Sequence, residues 1–266
     1  MRVCGGLGNQ MFQIAACFAA AQTTGRRTLI SRSKIADGRP LYWDSALRNF
    51  SYFLTDTFPA NMRIWSQPGN GAQTYAPIPT TGSLRIEGYF QSPKYFVSPT
   101  IVASLRALFA PSEETLANMR AKYSTLLYKR NVVVVHSRQG DYKKSDHHVA
   151  YHNPMKPEDH LRALALLDVK DPLYLFVCEE PAYWMPVIAA LGLRDDAYCV
   201  LDEPDEVLTL ALLQQFKTFV ISNSTFAWWA AWLAGEDARV YAPRAWFGPR
   251  GPKGWEDIYM PSWTLF

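Results

Sequence analysis

The feature that most constrains this chain is the alternation that begins near residue 131. Val132-Val133-Val134-Val135 is a β-branched run, a poor helix start and a good strand buried on both faces. Further apolar runs follow at 173–178, 197–201, 218–222 and 238–242. Helical segments separate them. Pro157-Glu158-Asp159 opens one, Gly192 stops another over 181–191, a third spans 205–216, and Gly235 stops a fourth over 224–234. Five strands alternating with four helices predict an α/β domain with a parallel, doubly wound sheet.

In such sheets ligands bind beyond the carboxyl ends of the strands. Three of the expected ends carry polar residues. The first gives His136, Ser137, Arg138 and Asp141. Arg138 is always charged and its planar fork suits a phosphate; it equally suits an ion pair with Asp141 that closes the loop over the sheet. The second end gives Cys178, Glu179 and Glu180. These carboxylates could accept N–H donors from a base such as guanine, or simply favour the start of the next helix. The fourth strand gives Ser222-Asn223-Ser224-Thr225 at the opening of Phe226-Ala227-Trp228-Trp229-Ala230-Ala231-Trp232-Leu233. One of these residues suffices as a helix cap, and four small polar residues in a row favour an anion at the helix start. The tryptophans read as core.

The N-terminal half is less regular. Met1 to Cys4 is a stub of strand, Gly5-Gly6-Leu7-Gly8-Asn9-Gln10 a glycine turn, and Met11 to Ala21 an apolar helix ending near Gly25. Strand, glycine turn and helix start aim backbone N–H groups at an anion, and Asn9-Gln10 favours a polar ligand over a bare turn. Met11 stands where a dinucleotide fingerprint needs its third small residue, and no Gly-Lys-Ser/Thr follows. A short strand is expected at Thr28–Ser31. Prolines break every pattern between 32 and 85. Residues 85–92 read as a strand entering a loop, with a helix start near Ser92-Pro93 and helices over 99–108 and 112–127. This predicts an N-terminal domain over 1–130, a Rossmann-like domain over 131–243, and an irregular Pro/Gly/Trp-rich tail over 244–266.

Composition excludes several classes. The 266 residues are 48% hydrophobic and 19% charged, enough for a large core and too apolar for disorder. Net charge is +3 and no Lys/Arg block exceeds two residues, which argues against nucleic-acid binding. Cys4, Cys17, Cys178 and Cys199 are widely spaced, as free thiols in a reducing compartment would be. No signal peptide or membrane span is visible, so a cytoplasmic, bacterial or viral protein is expected. Asp-x-Asp is absent, which counts against a metal-dependent nucleotide-sugar enzyme. His147, His148, His152 and His160 lack regular ligand spacing and read as a solvated polar loop and helix start.

Several blocks together resemble the α-1,2-fucosyltransferase family, glycosyltransferase family 11. They are Gly5 to Gln13, Gly88-Tyr89-Phe90-Gln91-Ser92-Pro93-Lys94-Tyr95-Phe96, His136 to Tyr142, Ser222 to Leu233, Tyr241 to Phe247 and Tyr259 to Trp263. The likeness runs end to end in the family's order. It implies a GT-B-like fold, two Rossmann-like domains facing across a cleft, with the acceptor on the N-terminal side. It implies GDP-β-L-fucose as donor, a glycan acceptor terminating in β-galactoside, transfer to galactose 2-OH with inversion, and no metal or other cofactor. Arg138 would hold the diphosphate, with Asn9 and Asp141 in the catalytic set. Gly6, Gly8, Gln10, His136, Glu179, Asn223, Ser224, Thr225 and Phe226 would line the donor. The general base is open: Glu179, His152 and Glu87 are candidates, and a cation-like transition state would need little base. The family's second Arg is replaced by Gln139, and its Ser-Asp-Asp by Cys178-Glu179-Glu180. The rival readings are a catalytically decayed nucleotide- or glycan-binding module and a fucosyltransferase of α-1,3 or α-1,6 linkage.

Overall fold

The computed structural model describes residues 1–33, 38–69 and 74–266, so 34–37 and 70–73, within the stretch that prolines made hard to read, lie outside it. The chain divides between Ser112 and Glu113 into one unit of Met1–Ser112 with Pro252–Met260 and another of Glu113–Gly251 with Pro261–Phe266.

In the first unit, helix α1 (Leu7–Thr23) is apolar on nearly every face and is buried accordingly. Its two buried glutamines are matched by backbone. Gln13 accepts from Cys4 N at 3.0 Å and donates to Cys4 O at 3.0 Å, so its amide stands in for a neighbouring strand. Gln10 donates to the carbonyls of Gly5 (2.9 Å) and Pro40 (2.8 Å). These bonds remove the penalty of burying the Gln13 amide and the Gln10 Nε2, while the buried Gln10 Oε1 has no hydrogen-bond partner. Strand β1 (Ile30–Ser31) pairs in parallel with β2 (Leu54–Thr55), and Ser31 N donates to the Met1 carbonyl at 2.8 Å. Strand β3 (Arg63–Ser66) pairs in parallel with β4 (Leu84–Glu87). A 3-10 turn, Pro93–Phe96, is capped by Ser92, whose Oγ accepts from Lys94 N at 3.2 Å. Helix α2 (Pro99–Leu108) follows, with proline at its first position.

The second unit begins with α3 (Glu113–Leu127). This helix packs on a later one of the same unit, and the buried Glu203 carboxylate accepts from Lys122 Nζ and Tyr123 OH, both at 2.6 Å. That anchoring places the boundary at 112/113, ahead of the break expected at 130. The alternation then runs β5 (Val132–His136), α4 (Asp146–His152), α5 (Pro157–Leu164), β6 (Leu173–Val177), α6 (Met185–Leu191), β7 (Tyr198–Leu201), α7 (Glu206–Leu213), β8 (Thr218–Val220), α8 (Thr225–Leu233), β9 (Arg239–Ala242) and β10 (Thr264–Leu265). The strands form one parallel six-stranded sheet in the order β10-β9-β8-β5-β6-β7. The sixth strand corrects the expectation of an irregular tail. Residues 261–266 return to the sheet and β10 pairs with β9 through Thr264↔Tyr241 and Leu265↔Ala242. Of the rest of the tail, 244–251 stays with the second unit and Pro252–Met260 belongs to the first.

Every residue of β5 is buried, as four consecutive valines demand of a central strand. Val133, Val135, Phe176, Trp184, Val187 and Val220 form the core on one face. Trp228, Trp229 and Trp232 of α8 are buried against one another, with Trp263 5.5 Å from Trp228. No helix among the described residues is long and apolar enough to cross a membrane.

Candidate active site

The strand order locates the site. From β5 the chain winds one way through β6 and β7, then crosses back to β8 and winds the other way through β9 and β10. The loops that leave the adjacent strands β5 and β8 therefore diverge, which opens a crevice at their carboxyl ends. Both strands run straight into the polar blocks, because a strand's last buried residue is followed at once by chain emerging from the sheet.

His136 ends β5, and its Nδ1 lies 3.0 Å from Ser222 Oγ, just beyond β8. Burial pushes the His136 pKa down to about 3, with Arg138 adding to the effect. The imidazole is therefore neutral and joins the two strand ends as a polar strut; it adds no positive charge for a phosphate. Beneath it, His160 of α5 is lowered to about 4, again by burial. Its Nε2 lies 3.2 Å from the His136 carbonyl, and its Nδ1 lies 3.0 Å from the Tyr183 hydroxyl, which donates to the Met155 carbonyl at 2.9 Å. His160 is thus part of the wall under the site and is not part of a solvated loop.

Arg138 stands where β5 has left the sheet. Its Nε and Nη2 donate to Asp141 Oδ1 at 2.9 and 2.8 Å, its Nη1 pairs with Glu179, and the guanidinium lies 5.9 Å from the Tyr142 ring centre. Burial alone would lower the Arg138 pKa, but Glu179 and Asp141 outweigh it and the pKa is raised. The ion pair with Asp141 that the sequence allowed is present, and Glu179 joins it. Each terminal nitrogen keeps one N–H beyond these bonds, on a guanidinium held rigid from two sides. Glu179 Oε2 also accepts from Gln139 N at 3.2 Å, so both Glu179 oxygens already have protein partners. Asp141 and Glu179 are therefore holders of Arg138.

Gln139 fills the family's second-Arg position and faces inward. It is fully buried, and Nε2 donates to Ser137 Oγ (2.7 Å) and to the Met155 carbonyl (2.9 Å). At this position the structure supplies an anchor for the Arg138 loop.

The Ser222–Phe226 block divides its labour. Asn223 is a clamp, with Nδ2 donating to the carbonyls of His152 and Trp246 (2.8 Å to Trp246), while the Tyr142 hydroxyl donates to the Asn223 carbonyl at 3.1 Å. Ser224 is the N-cap of α8 but makes no side-chain cap hydrogen bond, and the first turn carries no acidic residue. A helix start with neither a side-chain cap nor an acidic first turn suits an anion. Thr225 is half-buried and Phe226 lies 6.1 Å from the His136 ring.

The loop between β5 and α5 holds a helix, α4, that the sequence did not announce. His152 at its end stacks on Tyr142 at 4.0 Å with ring planes 7° apart. Burial lowers the His152 pKa, while Asp141 works the other way. Among the described residues no three His, Cys, Asp or Glu side chains gather so as to hold a metal ion.

In the first unit the glycine turn is tighter than expected. Gly6 is the N-cap of α1, again with no side-chain cap and no acidic first turn, and Leu7, Gly8, Asn9 and Gln10 are already helical. Gly5 needs its φ of +78°, and Asn9 leans over it, since a Cβ there would sit 2.6 Å from Asn9 Nδ2. Asn9 Oδ1 accepts from Gln91 Nε2 at 2.9 Å. Gln10 faces the interior, as described above, and Gly8 is buried, whereas Gly6 and Asn9 are half-buried. Gln91 and Tyr142 entered the sequence reading only as members of the Gly88–Phe96 and His136–Tyr142 blocks, because their partners lie far along the chain; His152 stood there as a candidate base, and its stacking on Tyr142 was hidden because it ends an unannounced helix.

The whole chain, residues 1–266, matches the family described as Glycosyl transferase family 11. It is similar to an alpha-1,2-colitosyltransferase of Escherichia coli, 24% identical over 92% of this chain and 91% of that protein. It is also similar to the O-antigen biosynthesis glycosyltransferase WbnK of Escherichia coli, 22% identical over 97% of each. Among solved structures it is similar to POFUT1 in complex with GDP, with a TM-score of 0.51 and 14% identity over 90% of this chain and 95% of that one. That likeness shows the fold, α/β and GT-B-like. On the strength of the whole-length match, the chain belongs to glycosyl transferase family 11.

Proposed function

We propose that this protein is an inverting transferase that moves L-fucose from GDP-β-L-fucose to a glycan hydroxyl, galactose 2-OH foremost, without a metal. The observation that carries the reading is the pairing of a rigidly held Arg138 with the uncapped start of α8 at the switch point of a parallel sheet. Breaking the fucose C1–oxygen bond leaves negative charge on the departing diphosphate. The two remaining terminal N–H groups of Arg138 and the backbone N–H groups of α8 meet that charge, the part a metal plays elsewhere. The acceptor oxygen attacks C1 from the opposite face, which turns the β-linked donor into an α-fucoside.

The acceptor's proton needs a base. Asp141 and Glu179 are committed to Arg138, and Glu87 to Arg85 at 2.9 Å. His152 fits the role best. It is held neutral by burial and stacks on the tyrosine that adjoins Arg138. Two relatives support the chemistry. One carries α-1,2 linkage in its name, and the similar POFUT1 has been solved in complex with GDP-fucose.

Calorimetry with GDP, UDP and ADP, followed by mass and linkage analysis of products from GDP-fucose and a β-galactoside panel, tests this reading. Selective GDP binding and an α-1,2-fucosylated product are expected. Equal affinity for the three nucleotides removes the guanine assignment. GDP binding without turnover identifies a decayed binding module, and an α-1,3 or α-1,6 product corrects the linkage. Running GDP-colitose beside GDP-fucose decides the donor sugar, a choice that the name of the colitosyl relative makes necessary.

A further inference from the structure

We propose that the Gly88–Phe96 block, with Trp65 and Tyr75, is a binding platform for a neutral pyranose chain. This deepens the function proposed above, because it names the surface of the first unit that takes the glycan acceptor.

Four aromatic rings form a continuous row. Trp65 stacks near Phe90 at 6.1 Å, Phe90 meets Tyr95 edge-on at 5.2 Å, and Tyr95 lies 4.8 Å from Tyr75. Phe90 is fully buried, whereas Trp65, Tyr95 and Tyr75 are each half-buried. The row therefore has a buried footing and ring surface left to solvent. Amphipathic aromatic faces of this kind pack against the C–H face of a sugar ring while nearby polar groups take its hydroxyls.

The polar surroundings fix the rings and carry little net charge. Gln67 Oε1 accepts from Phe90 N at 2.9 Å, and its Nε2 donates to the Thr74 carbonyl at 3.3 Å. The Tyr95 hydroxyl accepts from Ala76 N at 3.1 Å, and Asp257 accepts from Tyr75 N at 2.9 Å. Next to the block Lys94 pairs with Asp257 (2.5 Å) and Arg85 with Glu87 (2.9 Å). Pairing of these charges favours an uncharged ligand there over a phosphate or a nucleic acid.

Two further features mark the block as built for a purpose beyond packing. Phe90 has φ +53°, a left-handed conformation that bulky residues rarely adopt, and Gly88 has φ +151° with no room for a Cβ, which would fall 2.6 Å from Gln67 Cβ. The Phe90 conformation is strained, and strain of this kind clusters at ligand-binding sites. Gln91 is buried, gives its Nε2 to Asn9, and has an Oε1 with no protein partner. The same block thus reaches the glycine turn at the start of α1 with an unused acceptor beside it.

The test uses the full chain and a probe free of donor chemistry. Binding of the methyl β-glycoside of galactosyl-N-acetylglucosamine is followed by saturation-transfer NMR, with and without saturating GDP, and GDP affinity is measured by calorimetry. Trp65→Ala and Tyr75→Ala should weaken disaccharide binding about threefold to tenfold, the loss expected for one aromatic contact, and leave GDP affinity unchanged. Trp65→Phe, which keeps a ring and protects the fold, should bind nearly as the native chain does. Native-strength disaccharide binding in a folded Trp65→Ala/Tyr75→Ala double variant overturns the platform, and so does a native chain that never binds the disaccharide. If the native chain ignores GDP but binds the disaccharide through these rings, the donor assignment fails and the platform stands.

Discussion

Replacing Arg138 with alanine separates the two roles the structure gives that residue. Its guanidinium, about one-third exposed, bridges two partly exposed carboxylates, Asp141 and Glu179. Ion pairs at this level of exposure contribute roughly 0–1 kcal/mol each, so losing both in Arg138→Ala should destabilise the protein by at most about 2 kcal/mol. Against a total of roughly 5–15 kcal/mol the fold survives, with a Tm lowered by at most about 8 °C. The catalytic loss is larger. Removing one preorganised donor from developing charge costs about 10²–10³ in rate. The two orphaned carboxylates would then repel the diphosphate as well, so kcat/KM should fall by about 10³ or more. Arg138→Lys keeps the charge but cannot bridge Asp141 and Glu179 with a planar fork, and should fall between the two. The assay is kcat/KM for fucose transfer by mass spectrometry beside GDP affinity by calorimetry, with circular dichroism to confirm folding. A folded Arg138→Ala protein with kcat/KM within about tenfold of the native value refutes the diphosphate assignment.

The buried histidines make stability depend on pH. His136 and His160 have folded pKa values of about 3 and about 4, below the ordinary 6.5, so below pH 6.5 the unfolded chain binds more protons. Their contribution is fully present above about pH 6.5 and is lost as pH falls towards the folded values. Near pH 5 the pair gives a slope of about 2.5 kcal/mol per pH unit. Urea unfolding at pH 7, 6 and 5 reads it, His160→Gln should roughly halve it, and flat midpoints would contradict it. Gly248→Ala has no space, because its Cβ would meet the Ala150 carbonyl oxygen at 2.3 Å. Overpacking of this kind costs about 1–3 kcal/mol, so thermal unfolding should come several degrees earlier; an unchanged Tm would contradict the close packing of Gly248 and Arg250 on α4, where their N–H groups donate to the Tyr151 and Ala150 carbonyls at 2.9 and 3.0 Å.

Legibility differed between the two halves for a physical reason. From residue 131, strand and helix alternate with buried strands, so periodicity alone exposed the layer structure, and the strand ends exposed His136, Arg138 and Ser222–Thr225. In the first unit β1 and β2 are two residues long and β3 and β4 four, too short for any period to show. Helix α4 went unseen because its seven residues carry no apolar stripe, and β10 because its pairing partner lies more than twenty residues back. The roles of Gln10, Gln139, Asn223 and Glu179 were equally hidden. A polar residue beside a glycine turn or a strand end looks the same in sequence whether it faces a ligand or a carbonyl.

The amino-acid sequence by itself determined the parallel α/β sheet, the family blocks, and the positions at which strands hand over to polar loops. Those are local properties, written in which side chains must be buried and where burial stops. Tertiary structure decided the rest: that the last residues return as a sixth strand, that β5 and β8 are neighbours and so open the crevice, and that Arg138 is held by Asp141 and Glu179 while Gln139 and Asn223 turn inward. Each depends on which distant group satisfies a given donor or acceptor, and burial makes that satisfaction compulsory without saying in advance who provides it.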